Sequence, residues 1–556
     1  MQCRPLVVLT LLVGLGACAA PGKTPVAMGP EAAGQGLLYA GFGNYEREIS
    51  TEDPAAQRFF DQGLQLLYGF NHDEAIRSFQ RAAELDPKAA MPWWGIAFAN
   101  GINLNDPAMS DQRSKDARAA ADQAMARLQG ASALEVAMVR AVSERYEYPA
   151  PEDRRALDEA YAAAMGKAHR SFPKDADLAA LYADSLMNLQ PWDYWNEDGS
   201  PKGRIEEITS TLEAVMAEHP DHPGANHFYI HAVEASADPD RAVPAADRLI
   251  HLVPGSGHLV HMPSHIYVRV GRYSDAVDTN AQAVKVDRNY FALAPEPAMY
   301  AVYYAHNLHF LAYAAMMSGR FEEALEAARN LERDMPEANL RAFAGLIEGI
   351  MPSTLHVLVR FGKWEMILDE PEYPEFRLVS RAVRHYARSI AHSALGDTAS
   401  ARQELAAFEE AVALIPAEWF IFNNPVERVL PIARAMLRGE LLYREGRFEE
   451  AFALLREGAA AEDALIYDEP PGWMLPVRHA LGALLMGQGH FSQAEAVYRE
   501  DLERNRGNGW GLLGLQKSLA AQGQKAQAAA LDAELARAWS GTELRPNSSC
   551  YCEPGT

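Results

Sequence analysis

At 556 residues, 49% hydrophobic and 23% charged, the chain has enough apolar mass for several domains or one long array of repeats. Its 75 acidic residues against 51 basic ones give a formal net charge of −24. That excludes a nucleic-acid groove, which needs a basic face for phosphate, and suits a protein that tolerates cationic ligands.

The N-terminus, MQCRPLVVLTLLVGLGACAAPGK, places one arginine before an apolar run too short to span a bilayer, the pattern of a signal peptide over 1–17. The run ends in Leu15-Gly16-Ala17-Cys18, which resembles the bacterial lipobox. The resemblance implies cleavage before Cys18, a lipid on its sulfur and a flexible tether over 18–44. Ala19 after the cysteine then implies the periplasmic side of the outer membrane as the location. The plainer alternative is an ordinary cleaved signal with a chance cysteine.

From Ala55 one pattern returns along the chain. QRFFDQGLQLLYGFNHDEAIRSFQRAAELDP, from Gln57 to Pro87, holds two apolar periodic segments broken at Gly69-Phe70-Asn71 and closed by Asp-Pro. A glycine, then an aromatic, then an alanine recurs at Gly271-Arg272-Tyr273 with Ala276, Gly319-Arg320-Phe321 with Ala324, Gly446-Arg447-Phe448 with Ala451, and Gly489-His490-Phe491 with Ala494; Gly362-Lys363-Trp364 is a shorter copy. Glycine allows the backbone turn, the aromatic staples the second helix, and alanine permits close crossing. Weaker copies fill 91–128, 134–169, 175–219, 381–415 and 509–538.

This grammar resembles the tetratricopeptide repeat. The resemblance implies an all-α, TPR-like solenoid of about a dozen helical hairpins forming a curved superhelix, with the first helix of each hairpin lining a concave groove. Segments such as PGANHFYIHAVEAS and GHLVHMPSHIYVRVGRY look like those of a group of bacterial tetratricopeptide lipoproteins, a likeness that supplies a fold and no reaction. Two breaks interrupt the array, QPWDYWNEDGSPK at 190–202 and DEPEYPEF at 369–376, each placed to rim a pocket. The expected division is an N-terminal array over 45–375 with a histidine-lined groove, a C-terminal array over 376–540, and a tail over 541–556. In the tail, Cys550 and Cys552 are expected to form a disulfide or to bind a soft metal.

Histidine is distributed unevenly. Eight of the 17 histidines fall between His227 and His309. His258, His261 and His265 lie thirteen, ten and six residues before Gly271; His306 and His309 lie thirteen and ten before Gly319. Ala242 matches the alanine five past the turn, so Ala237 takes the turn position and His227 and His231 lie ten and six before it. Those offsets share an arc of roughly 60° on a helix face. His356, six before Gly362, extends the stripe, whereas His385 and His392, eleven and four before Gly396, fall at hairpin-packing offsets.

Two readings of the stripe stand. In one, the histidines line a groove for a peptide, a protein or a small molecule, the usual work of such arrays. In the other, His227, His231, His258, His261, His265, His306 and His309 hold one or two transition-metal ions, because i,i+4 imidazole pairs put two ligands on one cation. Copper and zinc fit neutral imidazole, iron less so. Glu234, three residues after His231, is the candidate ligand or proton acceptor; His356 and Arg269 are candidate ligand contacts in the groove, Arg269 for an anion. Pro263 is expected to kink its helix between His261 and His265. If the centre is catalytic, metal-dependent hydrolysis or redox chemistry follows; the chain carries no phosphate-binding glycine loop, nucleophile elbow or HExxH.

Overall fold

In a computed structural model, which describes residues 37–196, 198–294, 300–542, 544 and 546–552, the chain is an array of antiparallel helical hairpins. It divides into two compact units. Unit 1 comprises the described residues of Met1–Pro263 and Lys285–Ala301, and unit 2 those of Ser264–Val284 and Val302–Thr556. Both sides of the expected 375/376 division lie inside unit 2. Cys18 and the lipobox lie outside the described residues. No helix among the described residues is long and apolar enough to cross a membrane.

The hairpins form for the reasons their sequences give. Gly271, Gly319, Gly362, Gly396, Gly446, Gly489 and Gly523 turn the chain with φ between +62° and +83°, a region costly for any side chain. In the first hairpin, Pro54–Tyr68 against His72–Leu85, the left-handed position is held by Phe70 at φ +55°, five residues before Ala75 as Gly271 is before Ala276. Asn71 follows and caps the second helix by accepting from Glu74 N.

Two local features differ from the sequence reading. The segment 37–44, expected to belong to the tether, is packed on unit 1. Tyr39 N donates to Gln62 Oε1 (2.6 Å), Gly255 N donates to Gly41 O (2.7 Å) and Phe42 is buried. Alternating apolar and polar residues are too few here to announce a strand, yet Phe420–Ile421 and Asn424–Pro425 pair as a minimal antiparallel hairpin, with Phe422 at φ +51° in its turn.

Pro263 acts as expected. The helix Gly257–His261 ends at Met262, and Pro263–Arg269 starts anew with proline at its first position, where a missing amide costs nothing.

Candidate metal centre

In unit 1 the helices Pro223–Val233 and Gly257–His261 bring His227, His231 and His258 together. One ring nitrogen from each lies within 4.8 Å of the others, and the ring centroids of His227 are 4.9 Å from His231 and 5.0 Å from His258. Imidazole holds a metal at about 2.0–2.1 Å, so a small rotation of these side chains closes them on one ion.

Two hydrogen bonds set the chemistry of the pair on one helix. His227 Nδ1 is 2.7 Å from Tyr68 O, and a carbonyl only accepts, so Nδ1 carries the proton and Nε2 is the lone-pair nitrogen. His231 Nδ1 lies 2.8 Å from Glu234 Oε1, which by the same logic makes its Nε2 the basic nitrogen. A carboxylate or carbonyl behind the imidazole is the arrangement that orients and strengthens a metal ligand. Glu234 therefore acts from behind His231 rather than as a direct ligand in this triad.

The helix reaches this position because Gly224 lets it. A Cβ there would lie 2.4 Å from the Tyr68 ring. Tyr68 is in turn fixed from below, its hydroxyl donating to Asp177 Oδ1, which also takes a hydrogen bond from Tyr45; Arg47 Nη1 donates to Asp177 Oδ2 at 2.6 Å and His222 Nε2 is 3.3 Å away. Burial works against the Asp177 charge, but the bond from His222 and the Arg47 cation hold its carboxyl well below the usual range. Sequence reasoning missed this support. Tyr68 and Asp177 sit 159 and 50 residues before His227, and nothing in local periodicity links them.

The stripe is not an open groove. His227 is 0% exposed, His231 and His258 2%. Their cover comes from the two turns with left-handed aromatics. Phe70 packs on His227, His258 and His231 (centroids 4.6, 5.6 and 6.1 Å), and Trp192, at φ +62° in the 190–202 loop, meets His231 edge-on at 5.2 Å. The same loop sends Trp195 Nε1 to Ala232 O (2.9 Å), so it lies on the helix end as its sequence implied. Groove exposure was the wrong expectation because the offsets fix a helix face but not what a distant turn lays upon it. His385 and His392, expected to be the packed pair, are instead partly exposed, with 23% and 17% of their side-chain surface open, and sit against Glu404 (2.7 Å) and Asp397 (3.7 Å).

Of the remaining predicted residues, His261 belongs to unit 1 and His265, His306 and His309 to unit 2. His261 is buried in unit 1 with its ring 6.0 Å from His258, and His251, though in the cluster by sequence, is exposed. In unit 2, His265 stacks on His306 (5.6 Å) and its Nδ1 lies 3.6 Å from Glu469 Oε2. Phe422 contacts both His306 (5.8 Å) and His309 (5.4 Å). Thus all three non-glycine residues with positive φ among the described residues, Phe70, Trp192 and Phe422, are aromatics set against these histidines. Strained backbone of this kind persists where surrounding structure requires it. Arg269 lies over the Tyr467 ring (5.3 Å), and His356 packs on Trp473 (4.7 Å). Cys550 and Cys552 are joined as a disulfide, Cα–Cα 5.1 Å.

No protein-family model matches the chain, and no curated protein matches it. Among solved structures it is similar to a human IFIT1 dimer with m7Gppp-AAAA, at 11% identity over 88% of this chain and 91% of that one, TM-score 0.31. It is also similar to yeast Tom70, at 13% identity over 88% and 93%, TM-score 0.29, and to the APC/C hetero-tetramer Cut9-Hcn1, at 12% identity over 87% and 76%, TM-score 0.30.

Proposed function

We propose that unit 1 is a metal-binding module in which His227, His231 and His258 hold one copper or zinc ion. The observation that carries this reading is the pair of bonds behind the ligands, His227 to the Tyr68 carbonyl and His231 to Glu234, which fix both tautomers so that the two Nε2 atoms are basic. Three neutral imidazoles leave a fourth position for water or substrate, and an ion there supplies either water activation, if zinc, or redox chemistry, if copper. Elemental analysis of untagged protein should find a transition metal, and the His227→Ala, His231→Ala double variant should lose one equivalent of it. Less than about a tenth of an equivalent in the wild type, with no uptake from Cu(II) or Zn(II), would sink the reading.

A second reading, that the array holds extended peptides, is favoured by one feature of unit 2. Its own segment 547–552 is held through backbone carbonyls, with Lys517 donating to Asn547 O, Arg360 to Ser549 O and Arg444 to Cys552 O, and at one side chain, Ser549 Oγ, which bonds Tyr498 Oη and donates to His479 O. Contacts to carbonyls read a peptide's path rather than its sequence. A labelled SSCYC-containing peptide added to protein truncated after Pro546 should bind, and Arg360→Ala should weaken it at least tenfold; equal binding by both would remove this reading.

We also propose attachment to the membrane by a lipid on Cys18, on the sequence pattern alone. Cys18→Ala should release the protein from the membrane fraction, and a wild-type protein with no detectable lipid would rule it out.

A further inference from the structure

In unit 2, His309 from the helix Tyr300–Met317 and His356 from Ser353–Arg360 line a small cavity together with Ser353, Ile421, Trp473 and Met474. Both side chains are more than nine-tenths buried, at 2% and 6% exposure. Each presents an Nδ1 that is buried and has no hydrogen-bond partner among the described residues. Buried polar atoms in a folded protein are nearly always satisfied, so two such nitrogens on residues that line one cavity point to something that fills it. The space, about 10 Å³, is that of a single atom or water, too small for an organic ligand.

We propose that this cavity binds one soft monovalent metal ion, Cu(I) or its redox-inert analogue Ag(I), between His309 and His356.

The charge of the ion follows from the wall. No carboxylate lines the cavity. The acid nearest in sequence, Glu348, is turned away: it accepts from Val379 N, from Ser380 N and from Ser380 Oγ. Burying charge costs roughly as its square, so an uncompensated divalent ion costs about four times a monovalent one here. Two neutral nitrogens and a nearby thioether are soft, low-charge donors, the set that favours Cu(I).

The rings are also held in place. Phe422 packs on His309 and Trp473 on His356, and Trp473 Nε1 donates to Met436 Sδ at 3.1 Å. This site is independent of the unit 1 triad, and the test keeps them apart. Full-length untagged protein carrying His227→Ala and His231→Ala would be titrated with Ag(I), and with Cu(I) under argon, against a competing chelator. One tight equivalent should remain; adding His309→Gln or His356→Gln should weaken it at least 100-fold. No tight equivalent in that background, or one that neither substitution moves, overturns the proposal and leaves a bridging water as the occupant. Should the glutamine variants lose helicity by circular dichroism, copper K-edge absorption on the double variant decides. Two nitrogen neighbours, with or without one sulfur, support the site, and an oxygen-rich or four-nitrogen shell overturns it.

Discussion

In the proposed metal site, Glu234 would act on the ion through His231 without touching it. Replacing it by glutamine keeps an acceptor behind His231 Nδ1 but removes the charge that makes Nε2 a stronger donor. Metal affinity should fall by about 10–100-fold in a chelator competition, with the fold intact. Burial also sets the order of the stability costs. His227→Ala should cost the apo protein about 2–4 kcal/mol, through lost packing on Phe70 and an unsatisfied Tyr68 carbonyl. His385→Ala, whose ion pair with Glu404 is partly exposed, should cost about 1 kcal/mol or less. Urea titrations of the two variants decide the order. The sequence made the histidine face legible, because offsets of thirteen, ten and six are a property of one helix. It could not show the cover, because Phe70 and Trp192 lie 157 and 35 residues before His227. A pH dependence follows from His309. Its pKa is depressed, so the folded state resists a proton that the unfolded state accepts near pH 6.5, and stability falls as pH drops below that value. Down to about pH 4 this amounts to about 1.4 kcal/mol per pH unit. Buried acids such as Glu462, pushed up by burial to about 8, slope the other way, so the measurable quantity is a difference. The melting temperature of His309→Gln should fall less than that of the wild type between pH 6.5 and 4.5.

Gly224→Ala would place a methyl 2.4 Å from the Tyr68 ring, so the helix Pro223–Val233 must move or tilt. The expected cost is about 1–3 kcal/mol together with loss of the bound ion, read by thermal melting and elemental analysis. A variant that keeps its full metal content would show that the helix position does not set the site. The turn glycines, the repeat count and the Pro263 break were all readable from the chain, since each is a local backbone requirement. The first hairpin was readable only in part. Its turn at Gly69-Phe70-Asn71 was placed correctly, but glycine invited the left-handed role that Phe70 in fact takes, and a ring in that role is what the site uses. The segment 37–44 escapes local reading for a related reason: its small and polar composition reads as linker, while its anchoring rests on two bonds to Gln62 and one to Gly255 far along the chain.

At the scale of the molecule, the two units are not two stretches of sequence. The chain passes between them at 263/264, at 284/285 and at 301/302. Unit 1 needs its late piece: Tyr290 Oη donates to Glu74 Oε2 (3.0 Å), and His258 N, which opens the helix of the third ligand, donates to Tyr300 Oη (3.1 Å). A fragment ending at residue 263 should therefore unfold with low cooperativity and retain no metal, whereas one ending at 301 should do better on both counts, by circular dichroism and elemental analysis. The same contact sets an order of events during synthesis. His258, the last of the three, leaves the ribosome 42 residues before Tyr300, so for that interval the growing chain carries three imidazoles without the hydroxyl that holds the third in register. If the proposed site holds an ion, its loading would belong to the moment after residue 301 has emerged, and a nascent chain stalled before it should compete for metal less well than the finished protein.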